Sequence, residues 1–227
     1  MTMPSRAPFS VNIPALALIL LLLSCYPLSI VLPPSWAWEN GAIEDGDVIV
    51  LGVGLAWAFV TWMRAQPVSV ALLARCVLPI WIILIGREMS WGAVLFAPDH
   101  MTAEGPVFTS HHLWYRPFVT PVLCALFAWS AWSAWRCRLD KQLYSVLERG
   151  RFPWLPMLTV LAAAVGSSCA ESHLPYCLAT LRNQRFEELT ELAGYIALVV
   201  VQARVLGECR AAAPHGTAAA ASSPAAT

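Results

Sequence analysis

Six apolar runs, each near the length a helix needs to cross a bilayer, limit this chain more than any other feature. A helix rises about 1.5 Å per residue, so about 20 residues bridge the roughly 30 Å of hydrocarbon. The runs cover about 11–32, 48–64, 77–97, 117–135, 154–170 and 188–206. In lipid, backbone polar groups must be satisfied within the segment itself, so runs of this length fold as helices. Only 12% of the 227 residues are charged and 58% are hydrophobic. A soluble domain carries about 25% charged residues, so too little polar surface is present to cover a water-soluble globule. The expectation is an all-α polytopic membrane protein, a six-transmembrane-helix bundle. Residues 1–10 form its N-terminus and 11–207 the membrane domain. Residues 208–227, rich in Ala, Ser, Pro and Thr without periodicity, read as a disordered tail.

The basic residues orient the bundle. Arg6, Arg64, Arg75, Arg136, Arg138, Lys141, Arg149, Arg151, Arg204 and Arg210 fall on one side of the six spans, and Arg116, Arg182 and Arg185 on the other. Cytoplasmic loops carry the excess of Arg and Lys, so both termini are expected in the cytoplasm. A five- or seven-span chain would break this alternation. The first run follows Arg6 as a signal peptide would, and Leu22-Leu23-Ser24-Cys25 loosely resembles a lipoprotein cleavage site. The run exceeds a usual signal core and no Ala-x-Ala site follows it, so a retained helix is expected. Thirteen of the fourteen basic residues are Arg and Ala is abundant, the composition of a GC-rich bacterial genome. The expected location is therefore the bacterial inner membrane. Net charge is zero, which offers no bulk attraction to nucleic acid.

In this orientation the reactive side chains gather outside. Glu39, Glu44, Asp45, Asp47, Asp99, Glu104, Glu171, Glu187, Glu188 and Glu191 lie on the external side, with His100, His111, His112 and His173. Gly86-Arg87-Glu88-Met89-Ser90-Trp91-Gly92 falls inside the third run. Ionisable residues in a membrane segment are costly, and they mark paired, cavity-facing positions. Arg87 and Glu88 are adjacent and diverge by about 100° on a helix, so each is expected to find a partner elsewhere. Glu188, Glu191 and Tyr195 share one helix face at i, i+3 and i+7. Clustered carboxylates call for a cation, a proton or an arginine between them. A solvated helix start explains Glu187 and Glu188 equally well. Glu44-Asp45-Gly46-Asp47 reads chiefly as a helix start. Cys169 and Cys177 lie near the outer surface, where a disulfide can form. Trp36, Trp38, Trp114, Trp132, Trp135 and Trp154 stand near helix ends, as interfacial anchors do.

At Glu88-Met89-Ser90-Trp91-Gly92 the chain resembles a group of bacterial multi-pass proteins of unknown function. Their shared helix carries a Glu-Glu-Ile-Ser-Trp-Gly-Gln-Arg type motif. The resemblance implies that Glu44-Asp45-Gly46 and Glu187-Glu188…Glu191 belong to the same unit, over roughly 40–206. Arg87 stands in place of the first Glu, and Ala93-Val94 in place of Gln-Arg. The polar pattern also resembles membrane-embedded zinc hydrolases of the ceramidase type. Their paired histidines on a late helix are missing here.

The residues together suggest an outward-opening polar pocket lined by Glu44 or Asp45, Arg87, Glu88, Ser90, Trp91, His112, Glu188, Glu191 and Tyr195. As an enzyme acting on a lipid or lipid-linked substrate, the chain would use Glu88, Ser90, His112 and Glu191 as catalytic groups. Arg87, Trp91 and Tyr195 would bind substrate. A divalent metal ion would take Glu88, His112, Glu188 and Glu191. The alternative is a small transporter, or the membrane subunit of a larger complex, with Glu88 as a proton- or cation-linked site.

Overall fold

A computed structural model describes residues 13–65, 68–102, 105–173 and 176–212. The expected N-terminal segment 1–10 and most of the expected tail lie outside them. The elements are helices α1 (Ile13–Val31), α2 (Ala42–Arg64), α3 (Val68–Glu88), α4 (Arg116–Arg136), α5 (Leu139–Glu148), α6 (Trp154–Ala170) and α7 (Gln184–Ala212). A short antiparallel hairpin joins β1 (His100–Thr102) to β2 (Gly105–Val107), with His100 opposite Val107.

Among the described residues, five helical stretches are long and apolar enough to cross a membrane: α1, Pro34–Arg64, α3, α4 and Gln184–Ala211. Helix α6 is apolar but has 17 residues. Large apolar side chains face outward along these helices. Leu16, Leu20 and Leu23 form an exposed stripe on α1, and Phe118, Val122 and Trp129 are exposed on α4. Water would not tolerate such surface and lipid does, so the chain is a membrane protein.

Several boundaries differ from the sequence reading, among them the start of α2, at Ala42 rather than 48. Helix α3 starts at Val68 and stops at Glu88, rather than covering 77–97. Arg75 lies inside it, its guanidinium 5.8 Å from the centre of the Trp129 ring, so one charge did not end the run. Between α4 and α6, where a cytoplasmic loop was expected, α5 forms instead. Helix α7 runs on to Ala212, past the expected limit of 207.

The chain divides into two compact units. The first contains residues up to 50, 98–108 and 154–200. Its core joins Cys25 of α1, Ala37, Ile43 of α2, Ala170 of α6, and Phe186, Leu189 and Ala193 of α7. Cys25 is buried there, its thiol donating to the Leu189 carbonyl at 3.3 Å. Small residues let α6 and α7 approach: a Cβ added at Gly194 would lie 3.1 Å from Ala163, and one at Gly166 3.4 Å from Thr190. This is how membrane helices pack without a hydrophobic drive between them. The hairpin is held to the 34–41 segment. Phe108 donates its N–H to Glu39 at 2.6 Å, and the Trp38 ring lies where a side chain at Gly105 would stand.

The second unit contains residues 51–97, 109–153 and 201 onward. Helices α3 and α4 pack along each other, and Ser130 donates to the Cys76 carbonyl at 3.1 Å. Trp81 is buried against Gly54, whose missing side chain makes room for the indole. Its Nε1–H donates to Gln202 Oε1 at 2.6 Å, and Gln202 Nε2 donates to the Gly54 carbonyl at 3.1 Å. One glutamine thus satisfies a buried indole and a buried carbonyl together.

Candidate functional site

The expected pocket residues divide between the two units. In the second, Arg87, Glu88, Ser90 and Trp91 close the C-terminal end of α3. The motif therefore terminates a helix instead of lying within one. Ser90, Trp91 and Gly92 have φ of 44°, 55° and 91°, three successive residues in the left-handed region. Non-glycine residues pay strain for that conformation, and a Trp there is uncommon. Three contacts hold it. The Trp91 ring lies over Gly86, within 2.5 Å of where a Cβ would stand. Tyr115 donates its hydroxyl to the Trp91 carbonyl at 2.8 Å. Gly92 leaves room for that same hydroxyl, which a Cβ would meet at 2.7 Å. Only Gly92 of this turn announces itself in the sequence; Ser90 and Trp91 carry no such signal.

Arg87 and Glu88, expected to find partners elsewhere, also meet each other. Neighbours on a helix diverge, yet Arg87 Nη1 lies 3.5 Å from Glu88 Oε1. The guanidinium is half exposed and the carboxylate is 6% exposed, so the long arginine side chain covers the angle between them. His112 ends a short turn, Ser110–His112, that packs against the 90–95 segment, and the histidine is exposed.

The first unit gathers the carboxylates. Glu44 falls in the first turn of α2 rather than before it, and accepts the backbone N–H of Asn40, much as a capping box reaches back. Asp47 follows one turn on and is fully buried. Gly46 stands against Leu192 of α7, so the start of α2 meets the start of α7. There Glu188 is within electrostatic reach of Glu191, Asp47, Glu187 and Glu44. Tyr195, on the same face of α7, is buried.

Across from α7, Ser167 of α6 donates to Glu191 Oε1 at 2.6 Å. Glu171, just past α6, comes with Glu187 and Glu191 into a group whose ligand oxygens all lie within 4.8 Å of one another. His173 Nδ1 sits 2.6 Å from Glu171 Oε2. The loop carrying Glu171 and His173 is tied down by a disulfide between Cys169 and Cys177, with Cα atoms 5.4 Å apart. Three carboxylates with a histidine behind one of them is a hard-donor arrangement suited to a divalent cation.

Of the expected metal ligands, Glu191 belongs to this group and Glu188 adjoins it in sequence. Glu88 and His112 are in the other unit. The sequence offers Glu171 with His173 as a possible ligand pair, and Glu187 beside Glu191 at i, i+4. Nothing in it links the loop pair to α7, because a loop residue and a helix-start residue share no periodicity. No family model, no curated protein and no solved structure matches this chain.

Proposed function

We propose that this is a multi-pass protein of the bacterial inner membrane whose α6–α7 mouth binds a divalent cation. There it acts on a lipid or lipid-linked substrate at the periplasmic face. The observation that carries the reading is the convergence of Glu171, Glu187 and Glu191 within 4.8 Å, backed by Ser167 and His173. A cation there offsets the mutual repulsion of the carboxylates and polarises a phosphoryl or carbonyl oxygen. The carboxylates adjoining it serve as general bases.

Six spans with both termini in the cytoplasm fit this reading. The 17 residues of α6 rise about 26 Å, near the lower limit for a span. The Cys169–Cys177 bridge supports the orientation independently, since disulfides persist on the oxidising side of such a membrane. The left-handed turn at Ser90–Gly92 gives a physical reason for the Ser-Trp-Gly sequence in this chain.

Metal analysis of the purified protein tests the cation site. Wild type should retain a divalent ion after exhaustive dialysis, and Glu191→Gln and Glu187→Gln should lose it. Glu88→Gln should keep it. Metal-free wild type, or equal retention in all variants, would overturn the site.

A further inference from the structure

The charged segment between α4 and α6 makes a different kind of surface. Helix α5 is short and amphipathic, with Leu139, Leu143 and Val146 at i, i+4 and i+7. Leu139 and Val146 are buried within their unit. That leaves a second pair of apolar side chains, Tyr144 and Leu147, without cover: they are 65% and 41% exposed. Helix α4 ends just before it with two more exposed aromatics, Trp132 and Trp135, their rings 5.2 Å apart and edge-on. Arg138, at φ 48°, turns the chain from one helix into the other.

Arginines flank these apolar side chains at both ends of α5, which itself carries one base, Lys141, and the acids Asp140 and Glu148. Residues 136–151 hold Arg136, Arg138, Lys141, Arg149 and Arg151 against two acids, Asp140 and Glu148. Arg136, Arg138, Lys141 and Arg149 are exposed, and Arg151 pairs with Glu208 at 3.4 Å. Tryptophans at the end of a spanning helix mark the depth of the headgroups. A short helix that leaves that depth with exposed Tyr and Leu, amid surplus positive charge, has the chemistry of an interfacial helix.

We propose that α5 and the arginines flanking it form a binding surface for anionic phospholipid headgroups. Tyr144 and Leu147 enter the acyl boundary, and Arg136, Arg138, Lys141 and Arg149 engage the phosphates. The proposal rests on the membrane placement of the chain and not on the cation site. The occupant is the bilayer surface because exposed apolar side chains lie between arginines that flank α5 at both ends. A soluble phosphate would need the arginines alone.

Hydrogen exchange on the full chain in nanodiscs tests it. One set of discs contains phosphatidylcholine only, and in the other phosphatidylglycerol replaces part of it. Amides of α5 should exchange more slowly in the anionic discs, and added salt should reverse the difference. The variant Arg136→Gln/Arg138→Gln/Arg149→Gln should lose it, with affinity for phosphatidylglycerol falling about fivefold per arginine removed. Tyr144→Ser/Leu147→Ser should lower protection in both discs. Amides of α3 and α4 report the spans: their loss of protection in both discs would overturn the membrane placement itself. With those spans protected, equal α5 exchange in the two discs overturns the lipid surface alone. So does protection by inorganic phosphate without lipid, or protection that follows protein concentration and so reports a second copy.

Discussion

In the unit that contains α3 and α4, several polar side chains meet a partner of the opposite kind. Trp81 meets Gln202, Gln202 meets the Gly54 carbonyl, Tyr115 meets the Trp91 carbonyl, and Arg87 meets Glu88. Where α6 and α7 pack together, the acidic side chains crowd on one another, with Ser167 and His173 beside two of them. Glu187 and Glu191 converge with Glu171, and Glu188 senses Glu44 and Asp47 from α2. A buried donor matched to an acceptor needs nothing further and holds helices in register. Carboxylates gathered on facing elements raise each other's energy unless something positive sits among them. On the proposed reading the first region is architecture and the second is the place for a ligand, although the sequence marks Glu88 as the sharper feature.

The largest test of the architectural side is Gly92→Val. It places a β-branched residue at φ 91° and crowds the Tyr115 hydroxyl. The expected cost is about 3 kcal/mol, read as lost stability in thermal or denaturant unfolding of purified protein. Gly52→Ala is the control: it lies within α2 with nothing within 4 Å of its added Cβ, and should be neutral or slightly stabilising. If Gly92→Val unfolds like wild type, the turn is not a fixed part of the fold. Slightly smaller is removal of the bridge by Cys169→Ser/Cys177→Ser. Closing a loop of 8 residues contributes about 2.5 kcal/mol in the chain-entropy treatment. The same variant should weaken cation binding, since the bridge restrains the loop that carries Glu171. Full metal retention with lost stability would separate the two roles.

Hydropathy made most of the helices legible. The fourth and fifth runs, read at 117–135 and 154–170, meet α4 at Arg116–Arg136 and α6 at Trp154–Ala170. It failed where a charge or a conformation decides the boundary. Arg75 hid the first turns of α3, because an arginine covering a Trp129 face costs the segment less than its hydropathy implies. The end of α3 depends on a left-handed turn that Ser90 and Trp91 do not signal. Helix α5 was hidden by its charges, though Leu139, Leu143 and Val146 keep helical spacing. Glu191 was legible through its face shared with Glu188. Glu171 was legible only as a possible ligand pair with His173; its meeting with α7 was not, because a disulfide-held loop brings it in and no periodicity links the two.

Next in size is the buried knot of the α3–α4 unit. Gln202→Leu removes the acceptor for the Trp81 indole and the donor to Gly54. An unmade buried hydrogen bond costs about 1–3 kcal/mol, so a loss of about 2 kcal/mol is expected in the same unfolding assay. Trp81→Phe added to Gln202→Leu removes the stranded indole donor. The double variant should therefore cost less than the two single losses added together. Strict additivity would show that the two side chains do not act as one unit.

The smallest expected effect bears most directly on the comparison. If Arg87 and Glu88 are architecture, their two neutral variants should differ in a predictable way. Glu88→Gln leaves behind a guanidinium that is half in solvent and can be hydrated, so it should cost only a few tenths of a kcal/mol. Arg87→Gln leaves a carboxylate that is 6% exposed with one fewer cation beside it, and should cost about 1 kcal/mol or more. The order of the two values is the test, because it follows from which partner is buried. A functional Glu88 would invert the pattern of consequences: Glu88→Gln would leave stability intact but abolish metal retention or activity, and Arg87→Gln would do so only weakly. That outcome would move the ligand site from the α6–α7 mouth to the end of α3.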